Sequence, residues 1–164
     1  VQSSNSPEGI LDDCTSLSIV ANTFQNNSIT AIPSGLFDNC VSAQFFSSCF
    51  YGCSITAIPS GLFDSCTLAR TFFRCFYKIS TLTTVPSGLF DNCTSSLATN
   101  YSQCFTGCAL TQQSVDNVLA SLVTAGVSNG TIGLDGGTNA VPSAAGLADK
   151  ATLESRGWTV NVNS

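Results

Sequence analysis

SITAIPSGLFDNC, residues 28–40, returns as SITAIPSGLFDSC at residues 54–66 and again, loosened, as TLTTVPSGLFDNC ending at Cys93. Self-similarity at a period of about 20 to 50 residues marks a chain assembled from copies of one supersecondary unit. Pro7, Pro33, Pro59 and Pro86 stand 26, 26 and 27 residues apart, and each opens P-x-G-[LI]-[FL]-D-x-C, closing on Cys14, Cys40, Cys66 or Cys93. A finer beat runs inside the unit: Leu11, Phe24, Phe37, Phe50, Phe63, Phe76, Phe90 and Phe105 recur at steps of 13 to 15 residues. Each half-unit therefore reads as a short extended segment, such as ITAI, followed by a tight turn that carries the Phe. The Phe series must be the core, because apolar residues in register would otherwise form an exposed stripe larger than soluble proteins carry.

The pattern changes after Leu110. Val115, Val118, Leu119, Leu122 and Val123 follow a helical period, with Ser114 as the expected N-cap and Gly126 as the stop. Ile132 and Leu134 alternate as a strand, Ser143 to Arg156 reads as a second helix ended by Gly157, and Trp158, Val160 and Val162 alternate as a last strand. A strand, helix, strand order with this crossover length predicts parallel pairing. The expected architecture is an α/β-type, right-handed leucine-rich-repeat solenoid of about four 26-residue units over residues 1–110, closed by a βαβ-like cap over residues 111–164 within the same continuous domain.

The motif C-x-I-T-A-I-P-S-G-L-F-D-x-C followed by F-x-x-C-F-x-G-C resembles the BspA-like class of leucine-rich repeats, over roughly residues 7–110. The segment from Asn129 to Val162 is similar to a C-terminal module that follows such repeats in bacterial surface proteins and phage tail or fibre proteins. The resemblance implies a leucine-rich-repeat fold, cell-surface or virion exposure, and a role in adhesion. The dense cysteines and the 26-residue unit depart from that class.

Composition narrows the function. Only 9% of the 164 residues are charged, against about 25% in ordinary soluble domains, and the net charge is −5. That balance disfavours nucleic acid, which needs clustered Lys and Arg, and no apolar run approaches the roughly 20 residues of a membrane span. Met is absent even from position 1, so the chain reads as a processed protein or as a segment of a longer one. With no His there is no Ser–His or Cys–His nucleophile, and Glu8 and Glu154, the only glutamates, are far apart in the sequence. No catalytic residue and no cofactor is expected.

The nine cysteines fall in two columns. Cys49, Cys75 and Cys104 occupy a position that elsewhere holds Ile10, Leu36, Leu62 or Leu89, so they read as small buried hydrophobes. Disulfides stay open as the other reading, since Cys40 with Cys49, Cys66 with Cys75 and Cys93 with Cys104 repeat at near-constant spacing. The C-x3-C spacing is poor for zinc, and no metal is expected. Asp12, Asp38, Asp64 and Asp91 recur once per unit and read as turn-closing residues rather than calcium ligands. Asn26, Asn92, Asn100 and Asn129 begin N-x-[ST] triplets, glycan acceptors in a secreted eukaryotic protein.

Candidate partner-binding residues fall into two sets. Arg70, Arg74 and Lys78 are three of the five basic residues and sit beside Tyr77, with Tyr51 one unit earlier. Arg with Tyr is the composition that binding hot spots favour. Thr30, Thr56 and Thr83 form the other set, a flat uncharged strip. Together these predict a non-enzymatic, extracellular adhesion or recognition module for a protein or glycan on a cell surface. The alternative is a structural subunit or decoration of a fibre, filament or virion surface, whose partners are copies of itself.

Overall fold

The computed structural model describes Leu11 and residues 14–164, so most of the first motif copy, including Pro7, Glu8, Ile10 and Asp12, lies outside the described residues. Its regular elements are β1 (Asn100–Tyr101), α1 (Gln112–Ala125), β2 (Thr131–Leu134), α2 (Ala144–Ser155) and β3 (Thr159–Val162). The three strands form one parallel sheet in the order β1-β2-β3, with α1 and α2 as the crossovers.

The expected leucine-rich-repeat solenoid is therefore corrected. The chain is a small α/β domain of two helices and a three-stranded parallel sheet, with little regular secondary structure. Between residues 14 and 99 there are turns and isolated parallel bridges only, Ile19↔Phe45, Phe45↔Thr71, Ala57↔Thr84 and Thr71↔Asn100. The physical reason lies in the unit itself. Each ITAI-like segment runs into Pro33, Pro59 or Pro86, which has no N–H to extend a ladder. The CFYGC-like half spends its residues on turns with left-handed backbone, at Asn22 and Asn26, Ser48 and Gly52, Arg74 and Lys78, and Gln103 and Gly107. Pairing cannot grow beyond single bridges between such punctuations.

What joins one copy to the next is side-chain stacking. Phe24, Phe50, Phe76 and Phe105 lie nearly parallel at centroid spacings of 5.3, 5.3 and 5.2 Å. Phe37, Phe63 and Phe90 form a second column at 5.7 and 5.9 Å. A third, which the 13-residue beat does not reveal, runs through Phe46, Phe72 and Tyr101 at 5.1 and 5.0 Å and meets the second column edge-on. Apart from half-buried Phe24, every ring in the three columns is sealed from solvent. Offset and edge-to-face pairs of this kind add about 0.5 to 1.5 kcal/mol each beyond the area they bury.

The C-terminal elements follow their sequence signals, with one exception. Gly126 ends α1 in the left-handed conformation, and Ser143 caps α2 by accepting from the N–H groups of Ala145 and Gly146. The N-cap of α1, however, is Thr111, whose hydroxyl accepts from the Ser114 N–H. Ser114 instead is buried, taking the Val85 N–H and donating to the Thr83 carbonyl. One helical face further along, Ser121 accepts from the Phe90 N–H and donates to Asp91 Oδ1. Two serines on an otherwise apolar stripe thus bolt α1 to the last repeat, and their position on that stripe is the signal that marks them.

Two substitutions test this packing by chemical denaturation. Phe63 sits among Phe37, Phe46, Phe72, Phe76 and Phe90, so Phe63→Ala should lower the unfolding free energy by about 3 to 5 kcal/mol. The Tyr101 hydroxyl is buried without a hydrogen-bond partner, an arrangement that costs about 1 to 3 kcal/mol, so Tyr101→Phe should raise stability.

Candidate functional site

The turn Phe73–Lys78 is built so that its chemistry faces outward. Cys75 and Phe76 point into the core and are fully buried, while Arg74 and Tyr77 are half-exposed and Lys78 is exposed. The backbone is fixed from the next copy: the Arg74 N–H reaches the Ser102 carbonyl at 3.1 Å and the Lys78 N–H the Thr106 carbonyl at 3.0 Å. Arg74 and Lys78 occupy the two left-handed positions of the turn, at φ 55° and 56°. In other copies the Lys78 position carries Gly52 or Gly107, which adopt this backbone without strain.

The side chains then assemble around one ring. The Arg74 guanidinium lies 4.8 Å from the Phe73 centroid and 5.1 Å from that of Tyr77, and Lys78 Nζ lies 5.2 Å from Tyr77. Arg74 Nε donates to Gln103 Oε1 at 2.7 Å. Tyr51 stacks on Tyr77 at 5.5 Å and 14°. Among the described residues neither cation has a carboxylate partner, and the one ion pair joins Lys150 to Glu154. Cations held over rings are desolvated on one side yet keep their charge for an incoming anion. Arg70 does not join this cluster. It stands exposed beside the Thr71 bridge, with its N–H on the Gln44 carbonyl.

Thr30, Thr56 and Thr83 are all exposed, on a strip without a charge. Part of its hydroxyl capacity is already spent, since Thr83 Oγ1 donates to the Thr56 carbonyl at 3.3 Å and lies 3.4 Å from Thr84 Oγ1. Asn26, Asn92, Asn100 and Asn129 are exposed, although Asn100 uses its Oδ1 to accept from the Ser102 N–H. Asp38, Asp64 and Asp91 fold over the left-handed glycines of their own turns, Gly35, Gly61 and Gly88, and among the described residues no cluster of acidic or thiol groups could hold a metal ion.

All nine cysteines stand as free thiols, including those at the spacings that left disulfides open, Cys40 with Cys49, Cys66 with Cys75 and Cys93 with Cys104. Eight are buried, and Cys14 is half-buried. Cys53 and Cys108 use their thiols as donors to the carbonyls of Phe24, at 3.0 Å, and Phe76, at 3.1 Å, in the preceding copies. Burial, with nearby thiol and carboxylate groups adding to it, pushes Cys66 up to about 12 from an ordinary 9.0. Burial likewise pushes Cys108 up to about 12, and Cys49 and Cys93 are raised further for the same reason. Such thiols are poor nucleophiles, because the thiolate is the reactive form.

The folded state therefore holds its thiol protons more tightly than the unfolded chain. Stability that is fully present below about pH 9 should be lost progressively as pH rises toward 12, read as a falling urea midpoint. Iodoacetamide at pH 8 should modify Cys14 first and leave the buried eight intact until denaturant is added. Rapid native modification of Cys66 or Cys93 would contradict the packing. Comparison with known protein families and with curated proteins finds no match to this chain.

Proposed function

We propose that the protein is a non-enzymatic, surface-exposed recognition module that takes an acidic protein or glycan partner at the Phe73–Lys78 turn. One observation carries this reading: in a chain that is only 9% charged, two cations without carboxylate partners among the described residues sit on both left-handed positions of one turn. Left-handed backbone costs a non-glycine residue about 1 kcal/mol or more. A stacking role needs no charge at either place, because Gly52, Gly107 and Asn26 fill the Lys78 position and Asn22, Ser48 and Gln103 the Arg74 position in other copies. The half-exposed Phe73, Tyr77 and Tyr51 supply rigid apolar area beside the charge, the mixture that anchors interfaces. The motif's resemblance to BspA-like surface proteins supports the same reading and an extracellular or virion-surface setting. Buried thiols fit that setting, since oxidants reach them slowly. No helix among the described residues is long and apolar enough to cross a membrane.

The test uses panels of sulfated, uronic-acid and neutral glycans, and acidic peptides, as probes. Lys78→Gly combined with Arg74→Ser should weaken binding of the retained probe by about tenfold or more, equivalent to about 1.4 kcal/mol. Lys78→Gly alone should hold or raise the melting temperature, because it relieves the left-handed strain. If binding survives the double change and is lost on Thr56→Arg with Thr83→Arg, the threonine strip is the site instead.

A further inference from the structure

Gln103 stands one copy beyond Arg74 at the equivalent left-handed position, φ 56° against 55°. Its place is set by the row of N–H groups that each copy donates forward to the next: Arg74 to the Ser102 carbonyl at 3.1 Å, Phe76 to the Cys104 carbonyl at 3.0 Å. Gly133 of β2 packs against it so closely that a Cβ there would come 2.6 Å from the Gln103 nitrogen. From this fixed place Gln103 Oε1 accepts from Arg74 Nε at 2.7 Å. Among the described residues no acceptor reaches either Nη of Arg74. With the cation also resting over the Phe73 and Tyr77 rings, its Nη groups form an oriented fork. That shape meets two oxygens of one acid group.

An amide is the acceptor that aims the fork and leaves it charged. A carboxylate in its place would pair with Arg74 and compete with an incoming acid. The carboxylate one copy further on, Asp135, is engaged elsewhere, taking the Thr106 hydroxyl at 2.7 Å.

The backbone of the turn is already spent. Every N–H from Phe73 to Lys78 donates within the molecule, so an extended peptide cannot add itself here as a strand. Recognition falls to side chains: the fork, the Lys78 ammonium, and the rings and hydroxyls of Tyr51 and Tyr77. A sugar acid answers that set, with an acid group for the fork, hydroxyls for the phenols and C–H surface for the rings.

We infer that Gln103 is the positioning residue of this site, holding Arg74 as a fork for the carboxylate or sulfate group of an acidic glycan. This role rests on the Phe73–Lys78 turn being the partner site, and the measurements that follow separate the two.

Isothermal titration calorimetry of the 164-residue chain uses polygalacturonate, dextran sulfate, neutral dextran and poly-glutamate as probes. Polygalacturonate, dextran sulfate or both should bind and neutral dextran should not, and the glycan retained identifies the acid group. Poly-glutamate bound as tightly as either glycan would overturn the glycan assignment. Gln103→Glu should weaken binding by about tenfold or more and flatten its salt dependence, because the new ion pair removes a charge from the contact. Its melting temperature should hold or rise. Gln103→Met keeps the length without the acceptor, and Arg74→Lys keeps the charge without the fork. Both should weaken binding several-fold and leave the salt dependence as it was. If the Gln103 variants shift only the melting temperature, or if Arg74→Lys binds with full affinity, Gln103 does not aim a fork, although the turn remains the site. If no acidic probe binds, or binding survives Arg74→Ser with Lys78→Gly, the turn and the role of Gln103 are both overturned.

Discussion

The register that brings a ring over the ring one copy later governs the rest of this molecule. Phe50 lies on Phe24 and Phe76 on Phe50 at the same 5.3 Å, within 8° of parallel. That spacing is close to the distance between neighbouring hydrogen-bonded backbones, about 4.8 Å. Aromatic stacking and the forward N–H row are thus satisfied by one translation. Any residue that enlarged a copy's interior would break both at once. The near-identity of residues 28–40 and 54–66 follows from that demand, since each position meets its own counterpart above and below.

The same demand accounts for the cysteines. A core position bounded by Phe columns on one side and by the next backbone on the other has room for a small polarizable side chain, and sulfur fits it without a polar group to satisfy. Cys53 and Cys108 add a weak donor that answers the Phe24 and Phe76 carbonyls. At the equivalent place in the third copy Ile79 fills the space and donates nothing. The thiols are thereby structural. The raised proton affinity of the buried eight is a consequence of where the columns put them and makes them poor nucleophiles.

The Phe beat was legible because a period survives ignorance of the backbone, and so were α1, α2 and the parallel β2–β3 pair, whose caps and alternation are local signals. The motif alone points to a leucine-rich-repeat architecture because it says where apolar residues recur, while strand length depends on where Pro and left-handed residues interrupt pairing. Asn22, Ser48, Arg74 and Gln103 share a left-handed backbone that no common residue type announces. For the same reason the sequence marked Arg70, Arg74 and Lys78 as equals, whereas the turn gathers Arg74 and Lys78 over Tyr77 and leaves Arg70 at the bridge. The roles of Ser114 and Ser121 were hidden by a capping rule that fits Thr111 as well.

Repetition also explains where specificity can reside. A chain whose copies must superpose has few positions free to vary, and those lie where the side chain leaves the stack. The left-handed positions of the CFYGC-like turns are such places: their side chains project from the turn, while their N–H groups stay engaged with the next copy. Substitution there changes the surface without moving the columns, at the cost of local backbone strain. Asn26, Gly52, Lys78 and Gly107 occupy one such position in four successive copies, and only Lys78 brings a charge. Gly107 shows how closely it is held, since a Cβ there would meet Lys78 Cγ at 3.3 Å. A bulkier residue in the following copy would push the Lys78 stem off Tyr77, so the glycine after the cation is part of what keeps the cation in place.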